Sequence, residues 1–389
     1  VNAQTPITLD QSIETALENN LSVKNEKLKS DYHQKLIKSG TNIPATNING
    51  AFGQINSFYA DVSVGLSQTI NFPTVYKRQK DLLTEEWKSS LLNVGIQEIQ
   101  LKKQVTQAFY SLLYLQEKKK LLQKTDSLFA EFLEKSTLRF KAGESNILEK
   151  TTAENQRGQN ALQLSQIEQD IEIVQLQFQL LLNSETSYIL IESDNLNNSL
   201  IEIDSSKLLE HPEIQYWKQQ QQIATATTKL EQTKLLPDLT LGYNIMGMRG
   251  MGADDKIYNG TPRFQSVQVG LGIPIFNGGQ KAKINATKTN EVIISNEFQI
   301  KLKDFETNFQ SALKQYLKFE QAVQYFESTA LKNSDILTTT AKKQFLSGEI
   351  NYLEWVLLIN QSIQIQSDYI EAIKNRNNAL AELNFYLNK

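Results

Sequence analysis

The sequence predicts a mainly α-helical chain with a membrane β-barrel portion, built as two tandem repeats that each give two strands and long coiled-coil helices. Three observations carry this expectation. First, one stretch occurs twice. RFKAGESNILE at 139–149 and QFLSGEINYLE at 344–354 set Phe140, Gly143, Glu144, Asn146, Leu148 and Glu149 against Phe345, Gly348, Glu349, Asn351, Leu353 and Glu354 at a constant offset of 205. Second, period-two apolar runs follow Pro44 and Pro237, the mark of strands with one greasy face. Third, heptad-like stretches lead from the strands to the repeated motif with no proline inside them.

The same offset pairs Val64, Gly65 and Leu66 with Val269, Gly270 and Leu271, and Leu182 and Asn183 with Leu387 and Asn388. One copy is therefore half the chain. The expected organisation is a first repeat over 1–183 with a β-hairpin at 46–71 and a tip at 140–146, a connector over 184–206, and a second repeat over 207–389 with a hairpin at 239–276 and a tip at 345–351.

In chain order, Thr8 and Gln11 stand at capping-box spacing before Ile13, Ala16 and Leu17, which predicts a short first helix. After Asn19-Asn20 a second helical pattern runs to about Thr41, where Pro44 forbids continuation. Val62, Val64, Leu66 and Ile70 alternate with Ser63, Gly65, Ser67 and Thr69, preceded by a weaker strand containing Ile48, Gly50 and Phe52. Leu239, Leu241, Tyr243 and Ile245, then Val267 to Ile275, repeat the pattern in the second half. Each strand is near the length a tilted strand needs to cross a bilayer, and Phe52, Phe58, Tyr59, Phe72, Tyr76, Tyr243, Tyr258, Phe264 and Phe276 cluster at the ends, where an interfacial girdle falls. Four strands cannot close a barrel, and an open edge in lipid strands backbone groups, so several chains must pool theirs.

From Lys77 to Phe140 the pattern is helical over roughly 63 residues, about 95 Å. The return helix from Asn146 and the helix before the strands sum to nearly that length, which predicts two short helices stacked beside each long one. Gly143 and Gly348 break the helices at the tips. Within the connector, Tyr188-Ile189-Leu190-Ile191 is compatible with one small strand or helix.

Composition narrows the function. A formal charge of −3, from 40 basic and 43 acidic residues, gives no basic patch for nucleic acid. With no cysteine, disulfides and thiol catalysis are excluded. No apolar window is long enough for a transmembrane helix, so a membrane role must use strands. His33 and His211 are far apart without metal-ligand spacing, and the glycine stretches match neither a P-loop nor a dinucleotide fingerprint. No cofactor and no catalytic cluster is expected. Val1-Asn2-Ala3-Gln4 is compatible with the end of a signal peptide or with a linker.

The opening Leu9-Asp10-Gln11-Ser12-Ile13, the Leu236-Pro237-Asp238 step, the turn Ile273-Pro274-Ile275-Phe276-Asn277-Gly278-Gly279 and the two Phe-x-x-Gly tips together resemble the TolC family of outer-membrane efflux channels over essentially the whole chain. The resemblance implies a trimer with a twelve-strand barrel in the outer membrane and an α-helical barrel in the periplasm. It also implies export of substrates handed on by an inner-membrane RND-type pump and a periplasmic adaptor (membrane fusion) protein. Phe72-Pro73-Thr74-Val75-Tyr76, in place of the glycine turn, resembles the heavy-metal branch, CusC- and CzcC-like, some members of which are fused to the pump. The alternative is a soluble coiled-coil scaffold, which leaves the four amphipathic strands unexplained.

The resemblance places Glu149 and Glu354 at the constriction that closes the periplasmic end, with Glu144 and Glu349 below, an acidic ring favouring cations. The competing reading is a helix-start glutamate favoured by the dipole. Ile350 stands where a gate arginine is expected, so hydrophobic closure by Ile350, Ile147, Leu148 and Leu353 is the natural expectation. Phe140, Gly143, Phe345 and Gly348 form the expected docking tips, with packing inside the helix pair as the alternative for the phenylalanines. No metal site is expected, although Met246, Met248 and Met251 fall in one loop and thioethers bind Cu(I); a flexible loop is the plainer reading.

Overall fold

The structure, a computed structural model, describes residues 5–191 and 205–388. The chain divides into two compact units, each drawing on both halves of the sequence: Val1–Asn25, Gly95–His211 and Lys303–Lys389 in the first, Glu26–Val94 and Pro212–Leu302 in the second. Part of the connector expected at 184–206 lies outside the described residues.

In the first unit, strand β1 (Thr5–Ile7) pairs in parallel with β4 (Tyr188–Leu190), Ile7 opposite Leu190. The capping box is present at α1 (Leu9–Asn19), where the Thr8 amide donates to Gln11 and the Thr8 hydroxyl accepts from the Gln11 amide. Asn20 then leaves the helical region and its Oδ1 accepts from the amides of Ser22 and Val23, so one side chain ends α1 and starts α2 (Leu21–Leu36). The Asn20 amide nitrogen donates to the Leu181 carbonyl at 2.9 Å, tying this junction to the end of α4 (Ile147–Leu182). Around it Ala16, Val23, Val105, Phe109, Phe178 and Leu182 form the main apolar core.

The long helix α3 (Pro73–Lys141) runs 69 residues. It starts four residues before the expected Lys77, because proline at a first helical position has its ring angle preset and no amide to lose. α4 and α8 (Tyr352–Leu387) are each 36 residues long. The second long helix is not continuous: α6 (Gly278–Tyr325) passes through a π-turn at Phe326–Ala330 into α7 (Leu331–Ser347). Between α3 and α4 the buried Asn160 donates to the Leu122 carbonyl, and Lys119 pairs with Glu168 at 2.7 Å. Between α7 and α8 the buried pair Ser334 and Ser362 bond each other at 2.6 Å, with Thr338 joining.

The second unit holds a four-stranded antiparallel sheet in the order β2 (Asn47–Gly53), β3 (Asp61–Ile70), β5 (Asp238–Met246), β8 (Phe264–Gly272). Registers Ile48↔Leu66↔Tyr243↔Val267 and Ile70↔Leu239↔Leu271 align the apolar residues of all four strands on one face. That face is open: Val267 is 77% exposed and Val269 68%. The other face carries Asn49, Gly65, Ser67, Thr240, Gly242, Asn244 and Gln268, small or polar, with Met246 and Phe264 at one end. β8 stops at Gly272 rather than running to Ile275, since Pro274 cannot donate to a ladder. In the β5–β8 connection, β6 (Arg249–Met251) and β7 (Ile257–Asn259) form a small hairpin. The Asp61 carboxylate ties the two loops by accepting from the amides of Asn56 and Arg249. α5 (Pro212–Thr233) ends beside Glu231, nearly buried and held by Lys234 at 2.7 Å, Lys283 at 3.2 Å and Gln280.

Candidate functional site: the two hairpin tips

The two tips are built alike in the backbone. α3 ends at Gly143 (φ +76°) and α7 at Gly348 (φ +79°), the left-handed region where a side chain is strained. At the first tip the Glu144 amide donates to the Arg139 carbonyl; at the second, Glu349 donates to Gln344. Asn146 and Asn351 then cap α4 and α8, accepting from the amides of Glu149 and Glu354.

In their side chains the tips differ. Glu354 closes a full capping box, its carboxylate accepting from the Asn351 amide at 2.9 Å. Glu149 instead accepts from the Ser145 hydroxyl and faces the Arg139 guanidinium at 3.7 Å, with its side chain 17% exposed. Where α4 has Ile147 and Lys150, α8 has Tyr352 and Trp355 at the same offset. Phe132 of α3 stacks on Tyr352 at 4.2 Å and on Trp355 at 4.5 Å, and Phe345 tilts against Phe132 at 5.4 Å. The cluster thus binds the first hairpin to the second. Glu131 reinforces it on the surface, bridging Lys135 at 2.7 Å and Lys342 at 3.4 Å, and the two ammonium groups hold its carboxyl below the ordinary range.

Between the tips lies an open cavity of about 640 Å³, lined by Phe132, Lys135, Arg139, Glu149, Phe345 and Tyr352, with Gly348, Ile350 and Asn351 also in its wall. The Tyr352 hydroxyl is buried without a hydrogen-bond partner, as is the Trp355 indole nitrogen. Burial first, and then the Glu149 charge, push the Tyr352 pKa up to about 12, so the phenol stays neutral.

Of the residues expected at the constriction and tips, the cavity brings together Glu149, Phe345, Gly348 and Ile350. Glu144, Glu349 and Glu354 are exposed, as are Phe140, Gly143, Ile147, Leu148 and Leu353. Ile350 lines this cavity together with Arg139, Lys135, Phe132 and Tyr352, and Trp355 lies beside it in an adjoining pocket. The signal for them was the set of positions where the two copies disagree, Arg139 against Gln344 and Lys150 against Trp355. Met246 ends β5, Met248 follows it and Met251 ends β6. Among the described residues no group of three or more His, Asp or Glu could hold a metal ion, and no helix is long and apolar enough to cross a membrane.

With this geometry in view, the comparisons bear on both halves of the chain. The family described as outer membrane efflux protein matches residues 205–389. The outer-membrane channel OprN superposes with a TM-score of 0.83, covering 97% of this chain and 89% of that one at 14% identity. The fold is that of the TolC-like channels. CusC gives a TM-score of 0.83 at 15% identity, covering 97% of this chain and 91% of its own, and the CmeC outer membrane channel of Campylobacter jejuni 0.81 at 16%, covering 97% and 85%. Among curated proteins, none matches the sequence.

Proposed function

We propose that the chain is the outer-membrane channel of a tripartite efflux system, a passive exit duct for metal cations or small toxic compounds delivered by an inner-membrane RND-type pump and a periplasmic adaptor. The observation that carries this is the sheet. Four strands expose one continuous apolar face, and the outer edges of β2 and β8 are unpaired among the described residues. In lipid every unpaired backbone group costs several kcal/mol, so the edges require neighbouring copies, and three chains of four strands close a twelve-strand barrel. The wet face of that barrel is then the Ser, Thr, Asn, Gln and Gly face. A soluble scaffold has no use for such a sheet.

The helical hairpins supply the periplasmic end in this reading. Glu149, held by Arg139 and Ser145, and Ile350 form the constriction, with Glu354, Glu144 and Glu349 at the exposed rim. Phe345 is packed against Phe132, which leaves the more exposed Phe140, beside the Gly143 turn, as the anchor for an adaptor, with the Gly348 turn as the second contact. The heavy-metal branch rests on Phe72-Pro73-Thr74-Val75-Tyr76 alone, since CusC and OprN superpose equally well. Purified chain reconstituted in a planar bilayer is expected to conduct as a trimer, and R139Q combined with E149Q to raise the open probability. A monomer that needs no detergent and gives no conductance would overturn the reading.

A further inference from the structure

We propose that the cavity between the two tips is a binding site for amphiphilic organic anions, planar apolar bodies carrying one carboxylate or sulfonate. Its volume, about 640 Å³, lies in the range of small-molecule sites. One wall is aromatic, formed by Phe132, Phe345 and Tyr352, and Leu138, Leu346 and Ile350 extend it. Such a wall takes a flat ring by stacking, as it already does among its own members at 4.2–4.5 Å.

One polar atom on this wall and one beside it lack partners. Tyr352, 1% exposed, lines the cavity, and Trp355, 3% exposed, lines an adjoining pocket that shares Phe132, Lys135, Phe345 and Leu346 with it. An indole N–H only donates, and a neutral phenol donates readily, so both call for an acceptor oxygen. Buried donors left unmet cost stability, and a ligand oxygen recovers it. The charges agree in sign. Lys135 and Arg139 line the cavity with the carboxylate of Glu149, and Lys135 also holds Glu131, which Lys342 meets from the other side, so the five groups carry a net charge of +1. Arg139 remains 42% exposed and 3.7 Å from Glu149, which leaves donors of its guanidinium fork free to meet a second anion. A cation would face two positive groups, and a ring without an acceptor oxygen would leave the two donors unmet. The first hairpin offers no equivalent wall, because Ile147 and Lys150 replace Tyr352 and Trp355. An occupant here contacts both hairpins at once and so fastens them together.

The site depends only on groups within one unit, so it stands or falls separately from conductance. Calorimetric titration of the full-length chain in detergent, against a detergent blank, with 2-naphthoate, 2-naphthalenemethanol and 2-naphthylmethylammonium reads it directly. The expected order is naphthoate tightest by at least tenfold, with K135Q/R139Q removing that preference and Y352F/W355F weakening naphthoate several-fold. K135Q and R139Q alter exposed side chains and leave the aromatic stack intact, so they report even if the aromatic variants misfold. Equal affinity for the three probes, no binding of naphthoate, or a naphthoate affinity unchanged in K135Q/R139Q would each overturn the proposal, whatever the bilayer recordings show.

Discussion

His211 shows how much a single residue's setting matters. Preceding Pro212 at the start of α5, it is 1% exposed, its Nε2 donates to the Phe385 carbonyl at 3.0 Å, and its ring lies 4.7 Å from that of Phe305. Burial holds its pKa down to about 4, against an ordinary 6.5, despite the carbonyl that favours the charged form. Between those values the unfolded chain binds more protons than the folded one, so stability is complete above about pH 6.5 and falls as pH drops toward 4. The full loss is about 3 kcal/mol. Thermal unfolding followed from pH 7 to pH 4 is expected to show this decline. H211F is expected to have a flatter profile, the Phe385 carbonyl keeping the Asn388 amide as a donor at 3.3 Å. An H211F profile as steep as that of the natural chain would assign the acid sensitivity elsewhere.

At the scale of elements the tips follow from local chemistry. Gly143 and Gly348 have no other group within 4 Å of the position a Cβ would take, so their only constraint is positive φ. G143A and G348A are therefore each expected to cost about 1–2 kcal/mol without any steric clash. Circular dichroism melts check this, and a neutral result in both would mean that the turns relax. These tips, the Thr8 box and the alternation of the strands were legible in the sequence because each is decided within a few residues. The β1–β4 ladder was legible only in part: Tyr188-Ile189-Leu190-Ile191 was compatible with a small strand, but its three-residue partner Thr5–Ile7 comes from a distant part of the chain with no periodicity to betray the pairing. The π-turn at Phe326–Ala330 was not legible, since no proline or glycine announces it. The aromatic clamp escaped for a different reason. Phe132, Tyr352 and Trp355 stand in helical stretches of the sequence, but which helix faces which is set by tertiary register, and the duplication argued for likeness where the tips differ.

For the whole molecule, the proposed channel turns on which face of the sheet would meet lipid. The registers give neighbours on β8 opposite fates: Val269, opposite Leu241, lies on the apolar face, and Gln268, opposite Gly242, on the small polar one. A lysine at the centre of a lipid-facing strand surface costs about 2–4 kcal/mol, whereas one in a water-filled lumen costs little and adds charge to the path. V269K is therefore expected to lower the amount of assembled trimer recovered from outer-membrane fractions. Q268K is expected to assemble normally and, through three added positive charges in the barrel, to shift the reversal potential in a salt gradient toward anion preference. The two substitutions introduce the same residue one position apart, so β-propensity and bulk are matched and only the face differs. Equal assembly of both variants would remove lipid from the apolar face, and with it the need for neighbouring chains to complete the sheet.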